Sequence, residues 1–138
     1  MIYSYTITPQ DLTVDSNIVF TIDEIKTGCT VTHAAGTPTF TFNKPGYYFV
    51  TFNGVASATA AATDPIVAEM YNGATAIPGA LSSALSAAID TPVALSMSTI
   101  IQVRPNCPAI DNTVNLTIKN VGIAANYTNA AITITNLS

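Results

Sequence analysis

Charge is what this sequence has least of. Only 4 Lys+Arg and 8 Asp+Glu stand among its 138 residues, 9% charged against about 25% in ordinary soluble domains, while apolar residues reach 49%. A lone domain with so little charge shows water an unusually apolar skin, and skins of that kind mark contact surfaces. Self-association is the economical expectation, with a Thr/Ser/Asn-rich wet surface as the alternative. The four basic residues, Lys26, Lys44, Arg104 and Lys119, are scattered through a chain of net charge −4. Scattered cations give no electrostatic footprint for nucleic acid or an anionic membrane. The opening Met1-Ile2-Tyr3-Ser4-Tyr5 has no basic region followed by an apolar run, and nothing approaches the roughly 18 apolar residues of a spanning helix.

Catalytic side chains are equally scarce. The one histidine, His33, ends a short apolar run beside Ala34-Ala35-Gly36 and reads as a surface or subunit-contact residue, with a pH-sensing role as the alternative. Asp23-Glu24 is the one adjacent acidic pair, and neighbours on a strand point to opposite faces, which argues against joint acid/base work. Glycine-rich phosphate cradles, Ser/His/Asp arrangements and cysteine-pair metal knuckles are absent, so the sequence does not read as an enzyme. The two cysteines, Cys29 and Cys107, are too few for a disulfide scaffold and read as buried reduced thiols; a single bridge between them stays open. No cofactor is expected. Calcium is the metal best suited to the oxygen ligands on offer, with Asp111 and Asn112 as the candidates beside Asn106, and Asp64 in another loop, though their spacing fits no standard calcium loop.

What the chain has in quantity is Thr, Val and Ile in short alternating runs cut by turn residues. Strands are expected at Asn17–Ile22, Cys29–His33, Thr39–Phe42, Tyr47–Phe52, Ile66–Tyr71, Val93–Val103, Val114–Ile118 and Ile132–Thr135. Lys44-Pro45-Gly46 and Asn72-Gly73 supply turns. Gly79–Ile89 fits a helix or a strand and is read as a strand, because Leu81, Leu85 and Ile89 then share a face. The expected class is all-β, a sandwich or jelly roll over residues 17–138, preceded by an arm over residues 1–16 that Thr8-Pro9-Gln10-Asp11 sets apart. Tyr47 and Phe49 lie on the face of their strand opposite Tyr48, Val50 and Phe52, so both faces start apolar and the outer one is expected to meet another subunit. Glu69 and Tyr71 share a face of the next strand; Glu69 reads as facing solvent, and if instead it is buried in an interface its carboxylate needs Arg104 or Lys119 of a neighbour as its partner.

Thr41-Phe42-Asn43-Lys44-Pro45-Gly46-Tyr47-Tyr48-Phe49-Val50-Thr51-Phe52 resembles the Pro-Gly-aromatic signature of C1q-like and tumour-necrosis-factor-like domains, above all their bacterial and phage relatives such as the exosporium glycoproteins. Glu69 to Gly73, Ile77 to Gly79, Ser98 to Val103, Val114 to Asn120 and Ala131 to Leu137 follow in the order of those domains. The loop from Arg104 to Asp111 departs from the pattern, and no Gly-X-Y stalk precedes the head. The resemblance implies a jelly roll of about ten strands that forms a tight homotrimer and coats or recognises rather than catalyses. A Met leading directly into the head favours a phage virion decoration, head-fibre or tail-fibre-tip protein on the virion surface, with residues 1–16 docking it to the larger assembly. The alternative is a glycan- or protein-binding module of a bacterial cell or spore surface, in which exposed Tyr3, Tyr5 and Tyr127 stack on sugars.

Overall fold

The computed structural model describes residues 1–60 and 63–137. Among them lie twelve strands and no helix: β1 (Ile2–Thr6), β2 (Gln10–Leu12), β3 (Ser16–Asn17), β4 (Ile22–Lys26), β5 (Val31–His33), β6 (Phe40–Phe42), β7 (Gly46–Ala58), β8 (Ile66–Asn72), β9 (Thr75–Ala84), β10 (Val93–Val103), β11 (Val114–Asn120) and β12 (Ala125–Asn136). They form two antiparallel sheets. The first, sheet A, runs β10-β7-β12-β1-β4 with β2 added at β12, and the second, sheet B, runs β5-β6-β11-β8-β9 with β3 added at β11. The main paths thus hold ten strands, as the resemblance implies, and β2 and β3 are short additions.

The strand period places alternate residues inside. From sheet A, Tyr48, Val50, Phe52, Leu95, Ile132 and Ile134 meet Phe40, Phe42, Ile66, Met70, Leu116 and Ile118 of sheet B in one core, all of them almost fully buried. Burying a side chain of this size stabilises by about 1.5–3 kcal/mol, so these two inner faces hold the sandwich together. At the turn into β8 the backbone approaches very closely. A Cβ on Gly122 would stand 2.5 Å from the Pro65 carbonyl oxygen and 2.8 Å from the Val67 nitrogen, so only glycine fits there.

Four expectations are corrected. The arm over residues 1–16 does not stand apart: β1 is an interior strand of sheet A, pairing Ile2 with Ile134 on one side and Lys26 on the other, and Ile2, Ser4 and Thr6 are buried. The strand expected at Asn17–Ile22 is divided, because Phe20 bridges to Thr37 across the sandwich edge and pairing with β1 begins only at Ile22. In the Gly79–Ile89 stretch the strand starts earlier and ends at Ala84; Leu81, Leu85 and Ile89 are exposed, and Ala80 and Ser86 are the residues that turn inward. Cys29 and Cys107 are free but exposed, not buried.

Candidate functional site

The outer face of sheet A carries exposed aromatic and aliphatic side chains of β7 and β10. Register sets Ile100 beside Phe49 and Phe49 beside Thr135, then Ser98, Thr51, Thr133, Tyr3 and Ile25 in one row across five strands. The next row is Ser96, Asn53, Ala131, Tyr5 and Ile22. No Asp, Glu, Lys or Arg occurs anywhere in β10, β7, β12 or β1. At one corner Tyr47, Phe49 and Ile100 are 48%, 39% and 60% exposed. Tyr3 and Tyr5 form a second aromatic corner with their ring centres 5.7 Å apart. Between the corners lie small hydroxyl and methyl side chains, a surface that another flat face can approach without stranding a charge. Gln102 donates to the Tyr47 hydroxyl at 3.2 Å and fixes the rim of the first corner.

Glu69 and Tyr71 are not part of that face. They point outward from β8 in sheet B, on the opposite side of the sandwich from Tyr47 and Phe49, so the four interface candidates do not share one surface. Lys119 is the residue across from Glu69 on β11 of the same chain, and its ammonium lies 4.7 Å above the Tyr71 ring. Loss of water around the Tyr71 hydroxyl and its hydrogen bond with the Glu69 carboxylate push that phenol up. Lys119, one of the two cations expected to reach Glu69 from a neighbour, therefore stands beside it within the chain.

His33 is inside rather than on the surface. Its ring stacks on Phe40 with centres 4.0 Å apart, and both its nitrogens face oxygen acceptors, Nδ1 at 2.5 Å from Asp23 Oδ1 and Nε2 at 2.8 Å from the Thr37 carbonyl. Ser4 Oγ donates to the same Asp23 oxygen at 2.6 Å, and the Lys26 ammonium is 3.6 Å from the other. Burial works to raise the Asp23 carboxyl, but the bonds from Ser4 and His33 and the nearby Lys26 ammonium outweigh it and hold it below the ordinary range. Serine, aspartate and histidine do meet here, yet the hydroxyl is bound to the carboxylate and not to the imidazole. A nucleophile needs its base within reach of the hydroxyl, so the order is wrong for catalysis and the cluster ties β1, β4 and β5 together.

The loop after β10 spends its oxygens on itself. Asp111 Oδ1 accepts from the Thr113 nitrogen at 2.9 Å, and Asn106 Oδ1 accepts from the Asn112 nitrogen at 2.6 Å. Hydrogen bonds from Thr113 hold the Asp111 carboxyl below its usual range. Among the described residues no three His, Cys, Asp or Glu side chains come together as a metal site. Of the tyrosines expected to meet sugars, Tyr127 is fully buried and donates to Asn120 Oδ1 at 3.0 Å, with burial pushing its phenol up. Tyr3 and Tyr5 are half-buried on the outer face of sheet A.

No family model and no curated protein matches the chain. Solved structures do. The Eiger TNF of S. frugiperda superposes with a TM-score of 0.72 at 11% identity, over 99% of this chain and 92% of that one. The vertex protein P5 of PRD1 gives 0.58 at 11% identity, over 99% and 96%. Murine APRIL gives 0.56 at 6% identity, over 95% of each chain. The fold is the TNF-like jelly roll. At such identities the likeness is one of fold, and the face of this jelly roll has to be read from its own residues. Ile100, Thr133 and Thr135 belong to it and were not singled out in the sequence, because a single apolar residue or a threonine on an alternating strand carries no mark of its own until register sets it beside Phe49.

Proposed function

We propose that this jelly roll is a non-enzymatic structural head domain of a phage virion surface, and that three copies pack through the outer faces of sheet A. The observation that carries the reading is the run of four adjacent strands without a charged residue, ending in the exposed corner of Tyr47, Phe49 and Ile100. Apolar surface of this kind gains about 25 cal/mol per Å² when a partner removes it from water, and no desolvated charge opposes the contact. The matching of 99% of the chain to a vertex protein supports the virion setting. Decoration of a capsid, a head fibre and a fibre tip all fit this reading. Absolute mass by light scattering on the eluting peak tests it: three times 14.3 kDa is expected, falling to one chain in Ile100→Lys with the strand spectrum kept. A single-chain mass for the unaltered protein at every concentration overturns it.

A further inference from the structure

A sheet edge bares a row of main-chain N–H and C=O groups with which another strand can pair, and folded proteins blunt such edges with charge, proline, shortness or bulges. The two sheets end in β10 and β4 on one side and in β5 and β9 on the other, and all but β10 are blunted. β4 holds Asp23, Glu24 and Lys26 within five residues and slips its register against β1, β5 is three residues long, and β9 carries Pro78 and Gly79 and slips against β8. β10 runs eleven residues from Val93 to Val103 without a charge, proline or glycine, in unbroken register with β7. Two bonds show which of its main-chain groups face outward. Leu137 N donates to the Tyr47 carbonyl at 2.8 Å, so Tyr47 turns its main chain toward β12 and leaves Gln102, its opposite in β10, facing away from β7. Ser96 has the same parity, and its nitrogen donates outward to Ser82 Oγ of β9 at 3.1 Å. The main-chain groups of Ser98, Ile100 and Gln102 therefore point to the open edge, without a partner among the described residues, and all three residues are exposed.

We propose that this edge pairs with the same edge of a second copy of the chain, β10 against β10, antiparallel about a twofold axis at Ile100. The strand is complementary to itself. In that register Ile100 faces Ile100 and Ser98 faces Gln102 on either side, so residues with outward main-chain groups meet residues of the same parity and each N–H finds a C=O. The Ile100 side chains, 60% exposed in the single chain, cover one another as a cross-strand apolar pair, and the serine hydroxyl opposite the glutamine amide is a donor–acceptor pair. Charge is matched as well. The chain carries a net charge of −4, yet no charged residue lies in β10 or in β7 behind it, so two chains of like sign meet here with no like charges opposed. The bond from Ser96 to Ser82 confines the pairing to the second half of the strand. A twofold contact of this kind uses up both edges, so it joins two sheets into one and stops there instead of growing into a fibre. It draws on the edge of sheet A, not on its outer face, so it stands whether or not the chain is a trimer.

A contact of a few residues on each side is small, so the test traps it and also follows it with concentration. In full chains whose exposed cysteines are removed by Cys29→Ser and Cys107→Ser, Ser98→Cys protein is mixed with Gln102→Cys protein under mild oxidation. A mixed disulfide is expected, because directly opposed residues of such a pair stand about 5.5 Å apart at Cα, within disulfide reach. Either protein alone should cross-link about tenfold less, since residue 98 and its own copy are then roughly 14 Å apart along the strands. Light scattering of the unaltered chain over a dilution series should show, as concentration rises, a species of twice the mass of the lighter one, whether that lighter one is a single chain or three. Ser98→Pro should abolish the doubling with the strand spectrum kept, because it removes an outward N–H and leaves the ladder with β7 intact. Absence of a disulfide in the mixture overturns the pairing, and equal cross-linking by either protein alone overturns the register. A folded Ser98→Pro chain that doubles like the parent overturns the edge, and the disulfide result decides independently of that variant.

Discussion

His33 Nδ1 lies 2.5 Å from Asp23 Oδ1, and this contact joins the two sheets, because His33 ends β5 in sheet B and Asp23 belongs to β4 in sheet A. Since the Asp23 carboxyl is held below its ordinary value of 3.8, its contribution is present above that pH and lost as acid carries the folded protein through the lower value. Thermal melts taken from neutral pH downward should therefore fall steeply below about pH 4. In Asp23→Ala the melting temperature should be lower at neutral pH, by the equivalent of about 3 kcal/mol, and the acid slope shallower. An acid slope unchanged by the substitution would remove Asp23 from the account.

The close approach at Gly122 gives a sharper steric prediction. Gly122→Ala puts a methyl 2.5 Å from the Pro65 carbonyl oxygen, which is backbone and moves only with β8. The same segment carries the Val121 nitrogen to Val67 carbonyl bond of 2.9 Å. Calorimetry should show a loss of about 2 kcal/mol or more, against a small gain at an unhindered glycine without a positive φ.

Asn120 and Tyr127 make a buried polar hub. The Asn120 amide faces the carbonyls of Leu12, Thr13 and Ile123 at 3.4, 3.3 and 2.9 Å while its oxygen takes the Tyr127 hydroxyl. Tyr127→Phe should cost about 1 kcal/mol in urea unfolding with the slope unchanged. Asn120→Ala should cost more, since it strands the tyrosine hydroxyl and removes the donor to the chain entering β3.

The separation of the two outer faces makes a control for assembly. Glu69→Gln and Tyr71→Ala, on sheet B, should leave the mass in solution unchanged and alter stability by less than about 1 kcal/mol. Phe49→Lys, on sheet A, should lower the mass as Ile100→Lys does. Loss of mass in the sheet B variants alone would move the interface to the other side of the sandwich.

Most of the strands were legible because their inward residues are apolar. Tyr48, Val50 and Phe52, or Ile132 and Ile134, announce themselves at a spacing of two, and β7, β8, β10, β11 and β12 emerge where expected, several of them longer. The segment before them was hidden for a physical reason. In β1 the inward positions are Ile2, Ser4 and Thr6, and two of the three are polar. They are tolerated inside because Ser4 bonds Asp23, and Thr6 Oγ1 accepts from Thr21 Oγ1 at 3.1 Å and the Thr8 nitrogen at 3.3 Å. A hydrophobic pattern does not register a polar residue whose partner lies elsewhere in the chain, and His33 was missed in the same way. The face of sheet A was half visible: Tyr47 and Phe49 stood out as aromatics on the second face of an apolar strand, whereas Ile100 and the threonines acquire meaning only from register.

The pairing of β1 with β12 has a consequence for how the molecule forms. Ile2 meets Ile134, so the interior of sheet A is closed by the first strand and the last. Neither β1 nor β7 has its neighbour on that side until β12 has been made. β1 can pair with β4 and β7 with β10 without β12, so the two halves of sheet A are joined only when β12 enters between them, at the entropic cost of closing a long loop. Contacts of such separation slow the completion of a sheet, and until β12 docks, the facing edges of β1 and β7 are open to pairing with another chain.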